Sequence, residues 1–177
     1  MIDEISKKLA PRGILRIGIN MSNFLLVSSK DSNGLPAGVS PDIGKKLAEE
    51  LNLKFKLVQF ETPGLLADAV NDDQWDVGNI AHEKERSKTI DFSDPYVNID
   101  VNFLFRSKDN FKSNDEIDSS SIKIAVVERS AYDLWLTENF KNAKLIKVST
   151  IDKSHKLFRD GVEISDEDTK EDLLQKE

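Results

Sequence analysis

Apolar and polar positions along the chain alternate between two periods. Residues 14–19, ILRIGI, form an apolar run of strand length, and residues 53–60, LKFKLVQF, begin by alternating, which also predicts a strand. Between them Ile43, Leu47, Ala48 and Leu51 recur at helical spacing and predict a helix over 41–51. Ser40 suits its N-cap, Pro41 its first position and Asp42 its positive end, and Asn52 is a stop. A short polar helix over 2–9 is punctuated by Pro11 and Gly13. Asn33-Gly34 inside KDSNGLPAG, 30–38, predicts a hairpin-like excursion. Further on, the pattern predicts a helix over 63–71 with Pro63 early in it, a strand over 75–81, and a charged segment at 83–88. Strands at 97–105 and 122–128, a helix at 130–140, a strand at 144–148 and a helix start near 152–159 complete it.

Strands alternating with helices predict an α/β fold with a mostly parallel sheet. Two such units joined near 97–105 imply two lobes with a cleft between them: 1–101 as lobe 1, 102–161 as a partial lobe 2, and 162–177 as an acidic tail. Ligands of open α/β sheets bind at the carboxyl ends of strands, here 20–26, 60–63, 79–83 and 128–130.

Composition narrows the function. The chain has 177 residues, no cysteine and two histidines. That excludes a disulfide scaffold, a thiolate zinc site, an iron–sulfur cluster and a cysteine nucleophile, and argues against a histidine-rich metal site. The net charge of −7 argues against nucleic acid as the main partner. No apolar run approaches membrane-spanning length, so no direct membrane insertion is expected, and MIDEISKKLAPRG lacks the apolar core of a signal peptide. Charge is uneven: 12 basic and 16 acidic residues over 1–101, 11 and 9 over 102–161, and 2 and 7 over 162–177. The last block reads as a solvated segment.

Few residues carry chemistry. Arg86 follows a predicted strand, and its rigid fork of donors matches a carboxylate. Taken locally it reads rather as a surface arginine paired with Glu83 or Glu85. Asn79 and Ser130 lie at predicted strand ends, where they orient a ligand or, for Ser130, cap the helix that follows. Phe24 walls a cleft or fills the core, whereas Trp75 and Trp135 read as packing residues. Asp91, Asp94 and Asp133 are scattered, with no pair suited to acid–base catalysis. HExxH, GxSxG, the P-loop and GxGxxG are all absent, so no catalytic residue, metal or cofactor is expected.

TIDFSDPYV, 89–97, resembles the signature that follows the ligand arginine in family 3 extracellular solute-binding proteins, the receptors of polar amino-acid ABC transporters. LRIGI at 15–19, GLPAGVSPDIGKKLAEELNLKFKLV at 34–58, WDVGNIAHEKERSKTIDFSDPY and IKIAVVERSAYDLWLTENF resemble further stretches of that family, in order, over residues 13 to about 161.

The resemblance implies a two-lobed type II periplasmic binding protein fold that captures a small amino-acid-like ligand for uptake. A membrane permease would be its partner and the periplasm or cell exterior its location. It implies that Arg86 holds the ligand α-carboxylate. It puts Asn79 or Ala81 at an orienting position, Glu83 where a threonine is usual, Asn23 or Phe24 at the covering aromatic, and Arg129-Ser130-Ala131 at the second lobe's hydroxyl pattern. Glu83 favours a ligand with a cationic part or orients Arg86. Similarity fades after LFRDG, 157–161, so the chain is expected to end before the second lobe is complete. The alternatives are a dehydratase-like enzyme on the same fold, a sensor ectodomain and a non-binding fragment.

Overall fold

The computed structural model describes residues 2–106, 109 and 111–160, so the expected tail at 162–177 lies outside the described residues. It divides into two compact units at Pro95–Tyr96, where the sequence pattern divides the chain at 101–102. Both units are mixed α/β with parallel strand pairing.

The first unit is built on β1 (Ile14–Asn20). One edge pairs in parallel with β4 (Lys54–Phe60), from Ile14 beside Lys54 to Asn20 beside Phe60. The other edge pairs in parallel with β5 (Val77–Asn79), from Ile17 beside Val77 to Ile19 beside Asn79. The short strands β2 (Ser29–Lys30) and β3 (Pro36–Ala37) form the expected hairpin. Leu15, Ile17 and Ile19 alternate along β1 and so share one face of the sheet, while Gly18 sits on the other. Leu15, Ile17 and Ile19 are fully buried in one cluster with Ala10, after α1 (Ile2–Leu9), and Ala48 of α2 (Val39–Glu50). A second cluster joins Phe60, Ala69, Trp75 and Ile90 to Leu66 of α3 (Pro63–Asp68). Trp75 donates its indole N–H to the Leu66 carbonyl at 2.8 Å, so this large ring is buried with its polar atom satisfied. Gly18 sets the spacing: a Cβ there would lie 2.5 Å from Leu66 Cδ1 and 3.1 Å from Trp75 Cγ.

Two helix boundaries differ from expectation. Ser40 is not the cap of α2, which begins at Val39 with Gly38 at the N-cap and no side-chain cap bond. Gly38 has φ 131°, a backbone state open to glycine, and a Cβ there would lie 2.8 Å from the Leu26 carbonyl oxygen. Asn52 does stop the helix: it takes φ 53°, and the next amide, Leu53 N–H, reaches back to the Ala48 carbonyl at 2.9 Å. α3 is capped by Thr62 Oγ1, which accepts from Leu65 N–H, and ends at Asp68 rather than 71.

β5 is shorter than the strand expected at 75–81, and a charged cluster fixes its start. Asp76 accepts from the Arg16 backbone N–H at 2.7 Å and from the Arg16 guanidinium at 2.6 and 3.1 Å. Asp76 N–H donates back to the Arg16 carbonyl at 2.9 Å. Asp73 bridges Arg16 and Arg12.

In the second unit β6 (Lys123–Val127) pairs in parallel with β7 (Lys144–Val148), joined by α5 (Ala131–Asn139) and followed by α6 (Ile151–Asp160). A short α4 (Asn114–Ile117), absent from the sequence pattern, precedes them. After it, Asp118 accepts from the backbone N–H groups of Lys141, Asn142 and Ala143 at 2.8–2.9 Å, anchoring the entry to β7. The strand expected at 97–105 is not formed. Its alternation is present, but no strand pairs with it among the described residues, and a lone extended segment is not a strand.

Gly18→Ala should lower stability by about 1–3 kcal/mol, because the added methyl group enters a filled core; urea unfolding measures it. Acid should also destabilise. Asp73 is lowered to about 2 by its hydrogen bonds to Arg12 and Arg16, and Asp118 is lowered by its backbone donors. A carboxylate held below its unfolded value stabilises the fold above that value, and the contribution is lost as pH falls through the folded one. Urea midpoints should hold at neutral pH and drop between about pH 4 and 2, and Asp118→Asn should flatten part of that drop.

Candidate functional site

The parallel arrangement of β1 and β5 brings the loops after both strands to one edge of the first sheet. The loop after β1 turns tightly: the Asn23 carbonyl accepts from Leu26 N–H at 3.1 Å and Val27 N–H at 2.8 Å. Val27 enters the core, whereas Phe24 is 67% exposed, so it does not take the core position that local sequence leaves open to it. Leu25 beside it is exposed as well.

β5 ends at Asn79, and the loop after it carries Ala81, Glu83 and Arg86. Asn79, directly beside Ile19, donates its side-chain N–H to the Ser40 carbonyl at 2.9 Å. This bond ties the end of β5 to the first turn of α2. Arg86 opens a single 3-10 turn, Arg86–Lys88, and is only 5% exposed. It donates Nη1–H to the Ala81 carbonyl at 3.0 Å, folding the loop over its own guanidinium. Its carbonyl accepts from Ile90 N–H at 3.0 Å and Thr89 N–H at 3.1 Å. The local reading of Arg86 as a surface residue therefore does not hold. Glu83 is half-buried, and its carbonyl accepts from the Ser87 N–H and hydroxyl at 2.9 and 3.1 Å. Asn79 at the end of β5 and Ala81 and Arg86 on the loop after it are thus gathered together, with Asn23 and Phe24 on the loop after β1.

An open hollow of about 460 Å³ adjoins this loop, lined by His82, Ser87, Ile90, Phe92 and Asp94 among others. The His82 and Phe92 rings lie 4.7 Å apart beside it. None of the expected ligand residues lines it.

Ser130 belongs to the second unit. It is the N-cap of α5, buried, and its Oγ accepts from Asp133 N–H at 3.2 Å. The Asp133 carboxylate reaches back to accept from Arg129 N–H at 2.7 Å, closing a reciprocal cap. Asp133 also accepts from Thr137 Oγ1 and pairs with Lys147 at 2.9 Å. Arg129 is held at φ 59°, an uncommon state for a side chain with Cβ. Sequence reasoning leaves Asp133 as a stray carboxylate; its spacing of three from Ser130 is the signal that identifies the cap.

Ser40 has a different part from the cap expected of it. Its carbonyl serves Asn79, while its buried hydroxyl Oγ has no partner among the described residues. Ser40→Ala should therefore keep or slightly raise the melting temperature, because an unpaired buried hydroxyl costs stability. Asn79→Ala should lower stability by about 1 kcal/mol; calorimetry reads both.

A family model described as bacterial extracellular solute-binding proteins, family 3, matches residues 15–173. No curated protein matches. Among solved structures, an ancestral amino acid-binding protein, a precursor of cyclohexadienyl dehydratase, is 27% identical with a TM-score of 0.70. The alignment covers 90% of this chain and 70% of that one. A binding component of an ABC transporter from Wolinella succinogenes, complexed with lysine, is 21% identical with a TM-score of 0.67, covering 85% and 65%. The solute receptor for L-cysteine of Neisseria gonorrhoeae is 21% identical with a TM-score of 0.68, covering 89% and 63%. The chain thus spans about two thirds of the length of these proteins.

Proposed function

The chain belongs to the family 3 bacterial extracellular solute-binding proteins, and we propose that it captures a small amino-acid-like solute without chemical turnover. In this reading Arg86 holds the ligand α-carboxylate. What supports it is the burial of a guanidinium in the loop at the carboxyl end of β5, within the stretch that matches the family. A desolvated guanidinium binds a carboxylate more strongly than one in water, and two N–H groups offer a planar match. Asn79 and Ala81 keep the loop in shape. Phe24 offers an exposed ring at the same sheet edge. Glu83 supplies negative charge for a ligand ammonium group. In the second unit, Ser130 is the residue this reading assigns to the ligand.

The coupled system in this proposal is an ABC-type permease in the membrane, with the chain acting outside the cytoplasmic membrane. Glu83 is the single carboxylate among the residues assigned to the ligand, and no second acid or base stands with it in that set to complete a proton transfer. Binding is therefore favoured over dehydratase chemistry.

Thermal-shift titration against amino acids, polyamines and small organic acids tests the proposal. A ligand that binds only the folded state raises the melting temperature. An α-amino acid should do so, and Arg86→Ala should cost it about 2–5 kcal/mol of affinity, the range for stripping one partner from a buried charge pair. Equal affinity in the variant would remove Arg86 from the site. A panel without any shift, on a chain that melts cooperatively, would refute amino-acid capture.

A further inference from the structure

Among the described residues, three other than glycine hold a positive φ: Asn52 at 53°, Asp73 at 52° and Arg129 at 59°. For the first two the local reason is plain. Asparagine and aspartate tolerate this region, Asn52 stops α2, and Asp73 is fixed by Arg12 and Arg16. Arg129 has no such reason: its Cβ crowds the backbone there, which a glycine would not do. The turn nevertheless grips it on both sides. Glu128 N–H donates to the Val148 carbonyl at 2.8 Å, Arg129 N–H to the Asp133 carboxylate at 2.7 Å, and Ser130 N–H to the Val127 carbonyl at 3.2 Å. A costly backbone state kept by an over-determined turn points to a use for the residue that bears it.

Arg129 follows β6 at the carboxyl end of the parallel pair β6–β7, where ligands of open α/β sheets bind. It is exposed, and it directly precedes Ser130, which the reading above assigns to the ligand. A guanidinium carries five donors in a planar fork, so one that also bonds within its unit still offers donors to a carboxylate. The acid of the same turn, Asp133, is buried and committed to Lys147, Thr137 and the Arg129 N–H. We propose that Arg129 selects the ligand's side chain, and that the ligand class is the dicarboxylic α-amino acids. The proposal rests on the reading given above, in which Arg86 takes the α-carboxylate and Glu83 the ammonium group. Arg129 is then the cation left for a second carboxylate. A basic ligand side chain would meet like charge there, and a neutral one would leave the guanidinium's loss of water uncompensated.

Calorimetric titration of the full chain with L-glutamate and L-aspartate, each beside its isosteric amide, tests this. At least one acid should bind about tenfold tighter than its amide, the order expected of a hydrogen bond to a charged group. Arg129→Gln should remove that preference and leave the amide's affinity in place, and Arg129→Lys should keep part of it. Arg129→Gly separates a ligand role from a structural one. Glycine takes this backbone state without strain, so the melting temperature should hold or rise while the preference is lost. An arginine with only a structural part would instead leave the acid-to-amide ratio unchanged in every variant, and that result overturns the proposal. An amide bound as tightly as its acid by the wild type, with Arg86→Ala weakening both, also overturns it and leaves capture by Arg86 standing. Binding of neither acid nor amide overturns it too, and melting-temperature shifts with the remaining amino acids then show whether the reading of Arg86 survives.

Discussion

The first unit depends on one requirement: β1 must be satisfied on both edges and both faces. Its edges are met by β4 and β5, and its faces by two separate apolar clusters. Because the three strands run parallel, their carboxyl ends share one edge of the sheet, and the loops bearing Phe24 and Arg86 issue there. The Arg16–Asp76 contacts work at the opposite end of the same strands. They set where β5 begins, and thereby how far along the sheet its loop emerges. Site geometry is thus held from both ends: by a charged cluster where the strands start and by the Asn79–Ser40 bond where they finish.

Much of this was legible in the sequence because it is local. ILRIGI reads as a buried strand, Asn33-Gly34 as a turn, and Ile43, Leu47, Ala48 and Leu51 as one helical face. What escapes such a reading is non-local or depends on backbone angle. Ser40-Pro41 looks like a helix start, but the angle at Gly38 moves the start back. The Arg16–Asp76 link joins residues 60 positions apart, and no periodicity reveals it. At 97–105 the alternation is real, yet a strand exists only with a partner, which is information the segment itself does not hold. Arg86 is ambiguous locally, and only the folded loop shows it buried.

The two units treat their loop polar groups differently. In the first, the side chains of Asn79 and Arg86 donate to backbone carbonyl oxygens, so the loop's shape rests on those two residues. In the second, the turn at Arg129 is fixed by Ser130 and Asp133, two side chains of the same helix end. A change at Ser130 would therefore act on the turn and on any ligand contact together, whereas a change at the exposed Phe24 ring would leave the backbone alone.

The placement of the two tryptophans gives the molecule a built-in optical label for each unit. Trp75 is buried in the first unit with its indole N–H bonded, and Trp135 is partly exposed in the second, its ring 5.8 Å from Phe140. An indole shielded from water emits at shorter wavelength than one in contact with it, so the two signals are spectrally distinct. Replacing either ring by phenylalanine leaves a single emitter, and the loss of order in each half can then be followed by its own colour.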